Sequence, residues 1–295
     1  MVNPQQLDRF ENGKGFIAAL DQSGGSTPKA LRQYGVDESQ YSTEAEMFDI
    51  IHAARTRIIT SPAFTSEHIL GAILFDGTLD REIEGRGAAD YLWSVKGIVP
   101  FVKIDKGLAE PDDDVQLMRE IPDLAETLAH GLTQGAFGTK ERSVIHAANP
   151  HGITQVVDQQ FAIADQVLNA GLMPIVEPEV SIGAPDKQQA EAILKTELLE
   201  HLGGLGGRKV ALKLTLPTVV GFYSDLVTHP NVARVVALSG GYERDQANDL
   251  LAQNFGVIAS FSRALLDGLS AQQSSEEFDR TLAASVESIY RASIT

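Results

Sequence analysis

Short apolar runs alternate along this chain with longer amphipathic stretches. The apolar runs are Phe16–Asp21, Ile69–Phe75, Val99–Asp105, Phe137–Ile145, Met173–Val180, Val210–Pro217, Val232–Ser239 and Val257–Phe261. Several are rich in β-branched residues and apolar on both faces, as expected for strands of a parallel sheet covered on both sides. The fourth run departs from this, being apolar only at its flanks. Between the runs lie helical patterns. Met47, Ile50, Ile51, Ala54 and Ile58 keep one helical face apolar, and Thr43 with Glu46 forms a capping box at its start. Val157, Phe161, Ala164 and Leu168 make a second stripe, closed by Gly171. Ala190, Ile193, Leu194 and Leu198 make a third, and Ser274 with Glu277 opens a last helix carrying Phe278, Leu282, Val286 and Ile289. Strands alternating with helices predict a parallel α/β fold. Eight such units in about 250 residues predict a (β/α)8 TIM barrel, taken here as one catalytic domain over residues 1–295. An open doubly wound sheet is the alternative. Its dinucleotide-binding form needs Gly-x-Gly-x-x-Gly after the first strand, where this chain has Asp21-Gln22-Ser23-Gly24-Gly25-Ser26.

Composition narrows the function classes. The chain has 24 Lys+Arg against 40 Asp+Glu, a formal net charge of −16, which disfavours a general nucleic-acid binder. It has no cysteine, which excludes disulfides, thiolate metal sites and cysteine nucleophiles and suits a reducing compartment. No uninterrupted apolar run reaches the roughly 18 residues of a membrane span. The opening Met1-Val2-Asn3-Pro4-Gln5-Gln6 carries no secretory pattern, so a cytoplasmic location is expected. There is no His-Glu-x-x-His, and His146 and His151 have no matching carboxylate pattern. Neither a metal nor a cofactor is therefore expected.

Ionisable residues lie inside the apolar runs. Lys103 and Asp105 are two apart, as are Lys140 and Arg142, and Glu177 and Glu179, while Lys213 stands alone in its run. Side chains two apart in a strand share a face. Unpaired charge there is costly unless it reaches the open end of the barrel, where barrel active sites lie. Structural ion pairs are the plainer explanation of any one position, but four strands would all have to be compensated. Run seven ends in Leu238-Ser239-Gly240-Gly241 and run eight in Phe261-Ser262-Arg263. Glycines there let backbone N–H groups approach a phosphate, and Arg263 adds a fork of donors. The loop Ser23-Gly24-Gly25-Ser26 could hold a second phosphate.

These motifs together resemble class I fructose-1,6-bisphosphate aldolases, and the bacterial branch in particular. The resemblance runs from Gly15 to about Leu266. It rests on Ala19-Leu20-Asp21-Gln22-Ser23, Val102-Lys103-Ile104-Asp105-Lys106-Gly107, Lys140-Glu141-Arg142, Ile175-Val176-Glu177-Pro178-Glu179, Leu212-Lys213, Leu238-Ser239-Gly240-Gly241 and Ser262-Arg263-Ala264-Leu265. It implies a metal-independent lyase that cleaves fructose 1,6-bisphosphate reversibly to dihydroxyacetone phosphate and glyceraldehyde 3-phosphate. Lys213 would be the Schiff-base lysine, with Lys140 and Arg142 as the cations that make its amine less basic. Glu177 would be the general acid/base for imine formation, and Glu179 would balance the charge of the lysines. Asp21 would lie near the C4 hydroxyl and assist its deprotonation and the positioning of the substrate. Ser239, Gly240, Gly241 and Arg263 would hold one phosphate; Ser23, Ser26 and Lys103 would lie near the other, and Arg142 is also assigned to substrate. The partner implied is a small phosphorylated sugar, with no nucleic acid and no membrane. Barrels of the family are often homo-oligomers.

The chain departs from the family pattern at several places. Gln22 stands where many members have Glu, and Ala30 where animal-type members have an arginine. Leu214-Thr215 follows Lys213 in place of Pro-Asn, and Ser293-Ile294-Thr295 ends the sequence without the long tail that bears a tyrosine. Tyr290 is not given that role. Two competing readings remain: a transaldolase-like Schiff-base enzyme that uses Lys140, and a sugar-phosphate-binding barrel without catalysis.

Overall fold

The computed structural model describes residues 3–23 and 27–295. Eight parallel strands form the central sheet: β1 (Phe16–Leu20), β2 (Ile69–Phe75), β3 (Val99–Lys103), β4 (Gly138–Ile145), β5 (Met173–Val180), β6 (Val210–Thr215), β7 (Val232–Leu238) and β8 (Ile258–Phe261). They pair in the order β3-β2-β1-β8-β7-β6-β5-β4, and β4 pairs back to β3, which closes the barrel. The expected (β/α)8 architecture is therefore the one observed. Asp21, Asp105 and Ser239 sit just beyond the strands that the apolar runs extended through them.

Eight helices matter to the argument: α1 (Pro4–Asn12), α2 (Thr27–Gln33), α3 (Glu44–Thr60), α4 (Leu124–Thr133), α5 (Pro150–Asn169), α6 (Lys187–Gly203), α7 (Arg244–Ala252) and α8 (Ser275–Ser293). The expected capping boxes are formed at Thr43/Glu46 and Ser274/Glu277. Gly171 follows α5 with φ +86°. None of the helices among the described residues is long and apolar enough to cross a membrane.

Two apolar layers hold the barrel. Outward side chains of the strands pack against the helices in one large cluster. Inward side chains, among them Ile17, Ile73, Phe101, Ile175, Ala211 and Val236, fill the lower lumen. α1 plugs the N-terminal end. Asn3 caps it by accepting from the Gln5 and Gln6 amides, and Phe10 packs its ring 5.1 Å from Phe101 and 6.0 Å from Phe137. Arg234 on β7 closes the plug by donating to the carbonyls of Phe10, Glu11 and Gly13. With the bottom sealed, the lumen opens among the described residues at the C-terminal mouth. It holds a cavity of about 830 Å³.

Candidate active site

The strand register brings the charged pairs together. Lys103 on β3 lies beside Lys140 on β4, and Arg142 lies beside Glu177 on β5. Alternation along β4 sends Lys140 and Arg142 to the mouth, and alternation along β5 does the same for Glu177 and Glu179. Lys213, on β6, is 4% exposed and lines the same cavity. Lys103, Lys140, Arg142, Glu177, Glu179, Lys213, Asp21, Ser23, Ser239, Gly240, Gly241 and Arg263 all line it. Ser26, the remaining expected contact, lies outside the described residues.

Glu177 bridges the two central lysines. Its Oε1 is 3.0 Å from Lys213 Nζ and its Oε2 is 3.0 Å from Lys140 Nζ. Lys140 Nζ also lies 2.8 Å from Asp21 and 3.6 Å from Asp105. Burial alone would lower the Lys140 pKa, but Asp21, Glu177 and Asp105 hold its ammonium well above the ordinary lysine range. The same logic runs in reverse for Asp21. Burial pushes its carboxyl up, while Lys140, Lys213 and Lys103 draw it well below the usual carboxylate range. Asp105 behaves alike: burial raises it, and Lys140 and Lys103 lower it further. Lys140 and Asp21 are thus a fixed cation and a fixed anion at neutral pH.

Asp105 is the residue whose part the sequence understated. Its charge was visible two positions from Lys103, but it had been given no role. It is 6% exposed, lies 2.7 Å from Lys103 Nζ, and accepts from the Arg142 and Gly107 amides at 3.3 and 3.2 Å. It separates two ammonium groups that the register places side by side. Arg55 was missed as well. It occupies the otherwise apolar face of α3, four residues after Ile51, and is 2% exposed at the mouth. A charge on a buried helical stripe is the signal that could have found it.

Glu179 forms its ion pair with Arg142, at 3.1 Å, rather than with a lysine. Burial raises the Glu179 pKa and Arg142 opposes this most strongly, while Lys213 and Lys140 act only at longer range. Arg142 reaches outward and remains 41% exposed, so Glu179 follows it to the rim.

The glycines after β7 shape an anion cradle. Gly240 has φ +62° and Gly241 φ +121°, conformations that suit glycine. A Cβ on Gly241 would stand 3.6 Å from Arg263 Nη2, so the guanidinium lies directly over the turn. A Cβ on Gly240 would meet Ile182 at 2.7 Å. Ser239 is buried at the start of this turn. The two histidines considered for metal binding are otherwise engaged. His151 Nδ1 lies 2.8 Å from Asp113, and His146 Nε2 lies 2.9 Å from the Gln116 side-chain oxygen. Tyr290 packs edge-on against His68, just before β2 and at the end of the barrel opposite the mouth.

A closed barrel with two lysines sharing one glutamate at its mouth is an arrangement on which Schiff-base chemistry can run. The model of the family described as class-I fructose-bisphosphate aldolase matches residues 7–222. The chain belongs to the class-I fructose-bisphosphate aldolase family, and it is an aldolase. Among solved structures it is similar to fructose-bisphosphate aldolase from Plasmodium falciparum, in a complex with TRAP and a small-molecule inhibitor. That match has a TM-score of 0.75 at 21% identity over 98% of this chain and 94% of that one. It is also similar to Cgl0159 from Corynebacterium glutamicum, with a TM-score of 0.56 at 16% identity over 98% of this chain and 92% of that one. At these identities the two structures speak for the barrel fold.

Proposed function

We propose that the chain, acting as one catalytic domain, cleaves fructose 1,6-bisphosphate through an imine on Lys213, in the manner of its family. The observation that carries this reading is the contrast between the two central lysines. Lys140 faces three carboxylates and stays an ammonium, which has no lone pair to attack a carbonyl. Within 4 Å, Lys213 meets a carboxylate only at Glu177, among the described residues. The transaldolase-like alternative, with Lys140 as nucleophile, runs against this.

Lys213 Nζ attacks the C2 carbonyl of the open-chain ketose and gives a carbinolamine. Glu177, 3.0 Å from that nitrogen, takes its proton and returns one to the departing hydroxyl, which leaves as water. The iminium that remains draws the C3–C4 bonding electrons when the C4 hydroxyl passes its proton to Glu177, a carboxylate again once it has protonated the departing water. Asp21 is held ionised and accepts a hydrogen bond from that hydroxyl, which orients it. The aldehyde half leaves first. Protonation of the enamine at C3 and addition of water then release the second triose and free Lys213. Lys140 offsets the charge of Glu177 and Asp21 throughout. Ser239, Gly240, Gly241 and Arg263 hold the phosphate next to the imine, and Ser23 and Lys103 face the far one. The cations at the mouth focus an attractive field for an anionic sugar within a negatively charged protein.

The test is cleavage of fructose 1,6-bisphosphate in excess chelator, followed by a coupled assay. Wild-type protein is expected to turn over. Lys213→Arg puts a cation without a nucleophilic amine at this position and loses about four orders of magnitude or more in kcat, on the scale seen when a nucleophile is removed. Turnover by Lys213→Arg within tenfold of wild type would contradict the assignment.

A further inference from the structure

β1 and β8 are neighbours in the barrel, with Ile17 beside Ser260 and Ala18 beside Phe261. The segments that follow them leave the sheet side by side. One carries Ser23, assigned above to the far phosphate, and the other carries Arg263, assigned to the near one. A chain of polar contacts that the reaction does not use links the two. Gln22 Nε2 donates to Ser262 Oγ at 2.5 Å. The Gln22 carbonyl accepts from Arg55 Nη2, and Arg55 Nη1 donates to Thr78 Oγ1 at 2.7 Å.

Arg55 has the properties of a fixed post. It is 2% exposed, it is anchored on α3, and its rigid fork is engaged by a carbonyl and a hydroxyl. Burial pulls its pKa down to about 10, against Asp21 and Asp76, so it is charged at neutral pH. Position 22 is one of the places where this chain departs from the pattern of the family it resembles. A carboxamide can donate to a serine oxygen, whereas a carboxylate can only accept. The contact from Gln22 to Ser262 is therefore available to this chain in a form that a glutamate lacks.

We propose that Arg55, Gln22 and Ser262 form a tie that fixes the spacing of the loops after β1 and β8, and that this spacing makes the site selective for a ketose phosphorylated at both ends over one phosphorylated at one end. The proposal rests on the bisphosphate reading above. Two anion sites held at a set distance favour a ligand that spans them, because the second contact is then made at high effective concentration. A ligand with a single phosphate uses one loop and is indifferent to the spacing.

The experiment compares kcat/KM for fructose 1,6-bisphosphate and fructose 1-phosphate. Gln22→Met keeps the length of the side chain and removes the donor; Ser262→Ala removes the acceptor. Each is expected to lower the ratio of the two kcat/KM values by about 5- to 10-fold, the scale of one well-placed hydrogen bond. The double variant is expected to fall no further, because both changes cut the same contact. A merely structural effect would lower both substrates in proportion and leave the ratio unchanged. An unchanged ratio, or full additivity in the double variant, overturns the tie while leaving the aldolase reading in place. Wild-type protein that shows no Lys213 adduct after borohydride treatment with dihydroxyacetone phosphate overturns the function reading and the tie together.

Discussion

Lys140 and Glu141 are consecutive residues of β4, both deeply buried, and they face opposite layers of the barrel. Lys140 enters the lumen and meets Asp21, Glu177 and Asp105. Glu141 enters the layer between strand and helix and meets no cation within ion-pair distance among the described residues. One of its oxygens accepts from the Thr139 hydroxyl at 3.1 Å, and the other has no partner there. The two sites solve the same desolvation problem in different ways. In the lumen, opposite charges are gathered, and Lys140, Asp21 and Asp105 stay ionised. Behind the sheet, burial pushes the Glu141 carboxyl up to about 8, helped by Asp105 and Glu177 and opposed by Thr139 and Lys140. It is there neutralised by a proton. Gln160 fits this picture. It donates to the Glu141 carbonyl, Ser143 Oγ and the Glu177 carbonyl, so it ties β4 to β5, while its own Oε1 is an unpaired acceptor. The comparison teaches that charge at the mouth is kept by pairing. The neighbouring charge, with no cation at ion-pair distance among the described residues, is silenced by a proton.

The largest effect on this contrast comes from Lys140→Met. It leaves Asp21, Asp105 and Glu177 buried together, and among the described residues the direct ion pairs that remain are Lys103 with Asp105 and Lys213 with Glu177. Removing one partner of a buried ion pair costs about 3–5 kcal/mol, read as a lower urea midpoint at pH 7. Activity falls with it, by about 10²-fold or more, because Glu177 loses its orientation. The contrast breaks if the variant is as stable and as active as wild type.

A smaller, pH-dependent effect sharpens the other half. The folded-state pKa of Glu141, about 8, lies above its ordinary value of 4.5. Between those values the folded chain holds a proton that the unfolded chain has released. The stability this group contributes is therefore full below about pH 4.5, shrinks as pH rises toward 8, and is gone above it. Glu141→Gln removes the ionisation and keeps the shape. Relative to wild type it is expected to gain a few kcal/mol at pH 9 and nearly nothing at pH 5, measured by urea unfolding at both pH values. An equal difference at the two pH values would mean that Glu141 is ionised in the fold.

Strands were legible in the chain because several of the runs are apolar on both faces, the direct consequence of a sheet covered on both sides. β4 was legible only at its flanks. Its centre, Thr139-Lys140-Glu141-Arg142-Ser143, is polar because one face is the lumen network and the other carries the Gln160 contact and the protonated Glu141, and the partners of Lys140 and Ser143 are distant in sequence. The N-terminal plug α1 was passed over, although Asn3-Pro4 is an N-cap followed by proline at the first helical position. Its anchor, Arg234, lies more than 200 positions away. The site lysines and glutamates could be named from the sequence because charge inside an apolar run is costly and has to be explained. The pairing of Glu179 with Arg142, the cage around Lys140, and the Arg55–Gln22–Ser262 chain depend on strand register and on contacts between loops. No local spacing encodes these.

The account turns on which lysine forms the covalent bond. The direct measurement is reductive trapping: the protein is mixed with dihydroxyacetone phosphate and borohydride in excess chelator, and the adduct is mapped by peptide mass. The account predicts a single stable adduct on Lys213 and none on Lys140, which its three carboxylates keep protonated. An adduct on Lys140, or full turnover of the bisphosphate with no adduct on either lysine, would contradict it.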